Sequence, residues 1–163
     1  MLTTTPRAIA HNPARFTVSL PTRVRYSALV ALITAVDWSA EFLAQNARFK
    51  LPKLRRRNNR GLHVLRCFNE RASLGRDTTL RNYENLVIVR NAIVHGSGIK
   101  RQSEEPELLS AVNSLDGFSI EPVVWLGECV TINRRALEPY VTEMAELLPA
   151  LYKAADAKGL LTF

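Results

Sequence analysis

The chain has 163 residues, 47% hydrophobic and 23% charged, with seven Gly and eight Pro, a composition that suits one globular domain with its own core and excludes collagen-like, low-complexity and disulfide-scaffold classes. Two cysteines, Cys67 and Cys129, an uninterrupted apolar run no longer than Ala28 to Ile33, and an amino terminus broken by Pro6 and Pro13 point to a reducing, cytoplasmic setting with no membrane partner and no secretory signal. The net charge of +7 is unevenly spread: residues 1 to 101 hold 18 basic and 5 acidic groups, net +13, and residues 102 to 163 hold 4 and 10, net −6, an asymmetry that calls for an anionic partner.

Residues 1 to 24 carry Thr3, Thr4, Thr5, Pro6, Pro13 and Pro21 and predict an arm, partly extended or disordered, in which Phe16, Val18 and Leu20 alternate as a short piece packed on the body. The domain proper, residues 25 to 163, begins with a helix from Arg25 to about Ala47, because Tyr26, Leu29, Ile33, Val36, Ala40 and Leu43 recur at helical spacing. Pro52 and the Asn58, Asn59, Gly61 group then interrupt the pattern. Leu62, Leu65, Phe68 and Ala72 mark a second helix with Gly75 as its stop. A third helix runs from about Thr78, with Asp77 as its N-cap, through Leu80, Tyr83, Leu86, Val87, Ile93 and Val94 to Gly96 and Gly98. Residues 99 to 116 read as a polar connection holding at most a turn of helix. Phe118, Ile120, Val123, Trp125, Val130 and Ile132, parted by Pro122 and Gly127, predict a small β-hairpin. Leu137, Tyr140, Met144, Leu147, Leu148 and Leu151 return to helical spacing, with Pro139 and Pro149 at its start or at a kink. The fold class is thus mainly all-α, a compact bundle of four to five helices with a β-hairpin inserted before the C-terminal helix.

Arg48, Lys50, Lys53, Arg55, Arg56, Arg57, Arg60 and Arg66 form a cationic stretch with no carboxylate between Glu41 and Glu70. Arg dominates it, and a guanidinium fork suits bidentate phosphate contacts, so Lys53, Arg55, Arg56, Arg57 and Arg60 are the candidate contacts to a nucleic-acid backbone. The breakers within the stretch disfavour an amphipathic membrane helix. The two cysteines stand 62 positions apart, and no phosphate-binding glycine loop or G-x-S-x-G element is present, so no metal and no cofactor is expected. Asp37 and Glu41, one helical turn apart, read as plain surface.

The end of the third helix, LVIVRNAIVHGSG, places Arg90, Asn91 and His95 on an apolar helix that stops at once in glycine. This stretch resembles the ribonuclease motif of the HEPN superfamily, an Arg followed by a polar residue and, a few positions on, a His at a helix end. The resemblance is specific across Leu86 to Gly98. Arg57, Asn58 and His63 meet the same spacing, but no apolar helix leads into them, and we read that set as a coincidence. The resemblance implies a helical bundle, commonly a homodimer, with Arg90, Asn91 and His95 catalytic in metal-independent RNA cleavage and the site built between two protomers. It further implies a toxin or antiphage role checked by an antitoxin or sensor protein, with a non-catalytic RNA- or nucleotide-binding or partner-interaction module as the alternative. Five positions on a regular helix separate two side chains by roughly 140° and about 7.5 Å along the axis. Arg90 and His95 of one chain therefore meet one phosphate only if the last turn unwinds or if a second chain completes the site.

Overall fold

The computed structural model describes residues 13–54, 59–100, 103, 106–123 and 126–162, with side chains from residue 20 onward. Arg55, Arg56, Arg57 and Asn58, four members of the cationic stretch and of the coincidental motif, lie outside the described residues, as does Trp125 of the expected hairpin. Five helices, α1 (Pro13–Gln45), α2 (Arg60–Ala72), α3 (Asp77–Gly96), α4 (Leu108–Asn113) and α5 (Glu138–Ala157), and one antiparallel hairpin, β1 (Phe118–Val123) with β2 (Gly127–Ile132), make up the element order, with the hairpin between α4 and α5. The bundle and its insertion match the sequence expectation.

The helices exist because their apolar residues share faces. Leu29, Ile33, Val36, Ala40 and Leu43 of α1 face Leu65 and Phe68 of α2, Leu80, Tyr83 and Leu86 of α3, and Met144, Leu147 and Leu151 of α5 in one core, and burial of such side chains stabilises by about 1.5–3 kcal/mol each. Polar ties fix the helices against one another. Arg66 Nη2 of α2 donates to Glu84 of α3 at 2.7 Å, Asn82 Nδ2 of α3 to Glu143 of α5 at 3.1 Å, and Tyr152 Oη of α5 to the Ser39 carbonyl of α1 at 2.9 Å.

Three boundaries differ from the expectation. Helix α1 starts at Pro13, not near Arg25, so residues 13 to 24 of the expected arm are helical; Pro13 occupies a first helical position, where its missing N–H has no intrahelical partner to lose, and Pro21 lies inside the helix. Asp77 is the first residue of α3, not its cap; its carboxylate sits at the positive helix start and accepts from Asn69 Nδ2 at 3.0 Å. Helix α2 ends at Ser73, which takes the left-handed conformation at φ 57° and sends its N–H to the Asn69 and Glu70 carbonyls, two residues before Gly75. Asn69, the buried polar side chain between α2 and α3, also accepts the Arg76 N–H at 3.0 Å, and this pair of bonds sets the tight turn.

The hairpin closes the carboxyl end of α3. Its register pairs Phe118 with Ile132 and Val123 with Gly127, and its second strand turns Val130 toward the core. The Val130 N–H donates to the Gly98 carbonyl at 2.8 Å, and Tyr26 Oη of α1 donates to the Val130 carbonyl. Arg25 Nη1 reaches the Ile132 carbonyl at 3.0 Å. Gly98, at φ +77°, is required twice over, since a Cβ would strain the backbone and overlap the Tyr26 hydroxyl. The chain end is pinned as well: Arg48 N–H donates to the Leu160 carbonyl at 2.9 Å and Thr162 N–H to the Asn46 carbonyl at 2.8 Å.

Burial pushes the Tyr26 phenol up from 10.0 to about 12, with Cys129 adding and Arg23 opposing. A phenol whose value is raised on folding stabilises the fold fully below its unfolded value and loses that contribution as pH climbs to the folded one. Urea unfolding midpoints should therefore hold to about pH 10 and then decline toward about pH 12, and Tyr26→Phe, lower at neutral pH because the bond to Val130 is gone, should decline less steeply over that window.

Candidate active site at the end of helix α3

The apolar positions of α3 place Leu86, Val89, Ala92 and Ile93 in the core, which leaves Arg90, Asn91, Val94 and His95 along its rim. Arg90 points toward α1. Its Nη2 lies 3.6 Å from Asp37 Oδ2, with the two side chains 23% and 31% exposed. Tyr83, two turns before Arg90 on the same face, is fully buried and donates its hydroxyl to Asp37 Oδ1 at 2.8 Å. Burial first, and then the Asp37 carboxylate, hold the Tyr83 phenol well above the ordinary tyrosine range, so it remains a donor at every working pH. Asp37 is thus held on one oxygen by a phenol and on the other by a guanidinium.

Helix α2 completes this junction. Asn59 Oδ1 caps it by accepting the Leu62 N–H at 2.7 Å, and the next turn brings Gly61 against Asp37 so closely that a Cβ would overlap Oδ1. Arg60 clasps Glu41, Nε to Oε2 at 3.0 Å and Nη2 to Oε1 at 3.1 Å. Asp37, Glu41, Asn59, Arg60, Gly61 and Val64 line an open hollow of about 200 Å³. The two acids first read as plain surface are the groups that hold Arg90 and Arg60. No local pattern signals this, because Arg90 stands 53 positions from Asp37 in the sequence and Arg60 stands 19 from Glu41.

His95 lies at the other side of the rim. It is exposed, on the last turn of α3, and makes no hydrogen bond or ion pair among the described residues. Helix α3 stays intact through Gly96 and closes with Ser97 in the left-handed conformation at φ 54°, the Ser97 and Gly98 N–H groups both reaching the Ala92 carbonyl. The last turn does not unwind. Arg90 and His95 of one chain therefore keep the divergence of roughly 140° of a regular helix, whereas Asn91, four residues before His95, shares its face.

Of the candidate phosphate contacts, Arg60 is brought next to the Arg90 junction and is already paired. Lys53 is exposed in the segment that follows α1, and Arg55, Arg56 and Arg57 fall outside the described residues. His63, of the coincidental set, holds this segment in place, its Nε2 lying 2.9 Å from the Pro52 carbonyl, which is a structural task. Burial raises both cysteine thiols, Cys67 and Cys129, above the ordinary value, which keeps them protonated and poor nucleophiles. Among the described residues no three His, Cys, Asp or Glu side chains gather as a metal site.

The packing of Gly61 on Asp37 has a measurable signature. Gly61→Ala gains about 1 kcal/mol of helix propensity but incurs an overlap costing about 1–3 kcal/mol, so it should destabilise the wild type in urea unfolding; in an Asp37→Ala background, with the carboxylate gone, the same change should turn neutral or stabilising. Comparison of the chain with protein-family models, with curated proteins and with solved structures gives no match.

Proposed function

We propose that the chain is a metal-independent endoribonuclease of the HEPN type, acting as a homodimer with a composite site, in which Arg90, Asn91 and His95 do the chemistry. The observation that carries this reading is the division of labour at the α3 end: Arg90 oriented by Asp37, and His95 exposed, on a helix that ends immediately after them. In the proposed reaction a neutral His95 imidazole takes the proton of an RNA 2′-hydroxyl, and the oxygen attacks the adjacent phosphorus. The 5′-oxygen departs, is protonated by water or by a protonated His95 of the second copy, and leaves a 2′,3′-cyclic phosphate. Arg90 stabilises the charge growing on the phosphoryl oxygens. The Asp37 pair at 3.6 Å is loose enough to orient the guanidinium while leaving most of its five N–H donors for phosphate. Asn91, on the His95 face, orients the phosphate or the ring. No step calls for a metal.

The cationic stretch supplies the grip on RNA. Lys53 is exposed, Arg60 sits beside the Arg90 junction, and Arg55, Arg56 and Arg57 lie between them in sequence. The biological role that fits such a nuclease is a growth-arresting toxin or antiphage effector under an antitoxin or sensor protein. One observation favours the second reading, a non-catalytic module that binds RNA, a nucleotide or a protein partner: Arg60, which lines the hollow, and Arg90, which meets Asp37, are both engaged by carboxylates.

Incubation with single-stranded and structured RNA in EDTA separates the two. The enzyme should release 2′,3′-cyclic ends, His95→Ala should lose about 10²-fold or more and Arg90→Ala about 10²–10³-fold. Arg60→Ala should chiefly weaken RNA binding and lower its salt dependence by somewhat under one counterion. RNA retention without cleavage, unchanged in His95→Ala, would favour the binding module.

A further inference from the structure

Trp38 of α1 is 79% exposed, the most open of the large apolar side chains among the described residues, and among them it joins no ring pair and no hydrogen bond. A lone exposed apolar side chain is ordinary, but the surroundings of this one are not. Trp38 directly follows Asp37, and Glu41 and Phe42 stand three and four positions on, on neighbouring faces of the same turns of α1. On one side Glu41 holds the Arg60 guanidinium, Nε at 3.0 Å and Nη2 at 3.1 Å, with the Arg60 side chain still 66% exposed. On the other side Phe42 packs on Tyr152, ring centroids 5.9 Å apart, and the Tyr152 hydroxyl donates to the Ser39 carbonyl. Phe42 and Tyr152 are thus engaged within the fold, whereas the indole is an uncovered flat surface beside a cation.

The space around the ring is open. A long side chain on a helix leans toward the amino end, and there α1 carries exposed Ala31, Thr34 and Ala35, small residues that leave room for a planar group. The Thr34 hydroxyl turns back onto the Val30 carbonyl at 2.8 Å. A second cation stands near the first: His63 Nε2 lies 2.9 Å from the Pro52 carbonyl, which brings exposed Lys53 to the first turn of α2, the turn that begins with Arg60. An exposed indole beside an exposed guanidinium is complementary to a nucleotide, which joins a π-face to an anion.

We propose that Trp38 stacks an unpaired base of single-stranded RNA whose phosphate is held by Arg60; this rests on the ribonuclease reading and names the substrate of that site as a single-stranded segment. In a duplex each base is already stacked on its neighbours, whereas the bases of a single strand can be splayed out onto an aromatic ring. Arg60 and Trp38 divide the nucleotide between them, phosphate to one and base to the other. Arg60 and Asp37 line the same hollow, and Asp37 holds Arg90, so the stacked base belongs to a nucleotide close along the strand to the phosphate that meets Arg90. Trp38 is then a binding residue that selects unpaired RNA and takes no part in the chemistry.

The test uses the full chain. The sequence holds two tryptophans, Trp38 and Trp125, so Trp125→Phe leaves Trp38 as the reporter. A 2′-O-methyl oligouridylate of about twelve nucleotides, which stays unpaired and lacks the nucleophile for cleavage, should quench the Trp38 emission along the same curve that anisotropy of the end-labelled strand gives for binding. In the wild-type background, which keeps the test valid if Trp125→Phe does not fold, Trp38→Ala and Trp38→Leu should each weaken this binding at least about fivefold with an unchanged salt slope, and Trp38→Phe should keep most of it. Binding of a blunt 2′-O-methyl duplex should be indifferent to all three. Leu keeps apolar bulk without a π-face, so full affinity in Trp38→Leu overturns the proposal. Binding that leaves the Trp38 emission unchanged, no binding of the single strand, or an emission shift on phosphatidylglycerol vesicles that the oligonucleotide does not produce overturns it as well. Quenching by unmodified RNA that is left intact keeps the stacking and removes the chemistry, whereas cleavage with Trp38 emission unmoved by RNA does the reverse.

Discussion

The Asp37 carboxylate is the point on which the arrangement of α1, α2 and α3 depends. A carboxylate two-thirds buried must find donors, because desolvating a charge without them is costly. It finds Tyr83 on one oxygen and Arg90 on the other, both from α3, and α2 closes against it through the residue without a side chain, Gly61. Replacing Tyr83 or Arg90 takes a donor from the carboxylate, and a side chain in place of Gly61 collides with it. The functional consequence is direct: the group that satisfies Asp37 is the guanidinium of the candidate site, so the same constraint that aligns three helices also sets where Arg90 points.

The far end of α3 is fixed by different means. There the hairpin accepts the load, with Tyr26 and Val130 enclosing Gly98 and the Val130 N–H drawing in its carbonyl. One end of the rim is tied through Asp37 and the other through Gly98, the last turn of α3 is intact, and His95 stands on it, exposed. In the proposed ribonuclease, Arg90 and His95, diverging by roughly 140° on an intact helix, need a second copy to meet one phosphate.

Periodicity made the helices readable and β-branched alternation made the hairpin readable, because both signals are local. The misreadings share one cause, that the deciding partner lies far away in sequence or in no residue type at all. Pro13 and Pro21 suggested an arm, yet proline is compatible with a helical start, and α1 runs through both. Gly75 looked like the stop of α2, but Ser73 takes the left-handed turn because Asn69 bonds the Arg76 N–H and Asp77 just beyond it. Asp37 and Glu41 looked like solvated surface, since an i, i+4 acidic pair carries no sign of the arginines that will meet it. Arg90, Asn91 and His95 were legible only as a motif, and neither the tie to Asp37 nor the intact last turn follows from the letters.

The charge asymmetry acquires a physical meaning from these pairs. Among the five acids of residues 1 to 101, Asp37, Glu41 and Glu84 each hold an arginine, Arg90, Arg60 and Arg66, and Asp77 accepts from Asn69. They orient cations without cancelling the positive field, because Arg48, Lys50 and Lys53 remain exposed, with no ion pair among the described residues. An exposed pair such as Arg60 with Glu41 contributes only about 0–1 kcal/mol, so in the proposed ribonuclease an RNA phosphate exchanges for Glu41 at small cost. Arg90 is less exposed and its acid is also held by Tyr83, so it is the more firmly placed of the two arginines. Exposure thus falls from Lys53 and Arg60 to Arg90, which under the proposed function ranks them from an outer grip on RNA to the cation at the reacting phosphate.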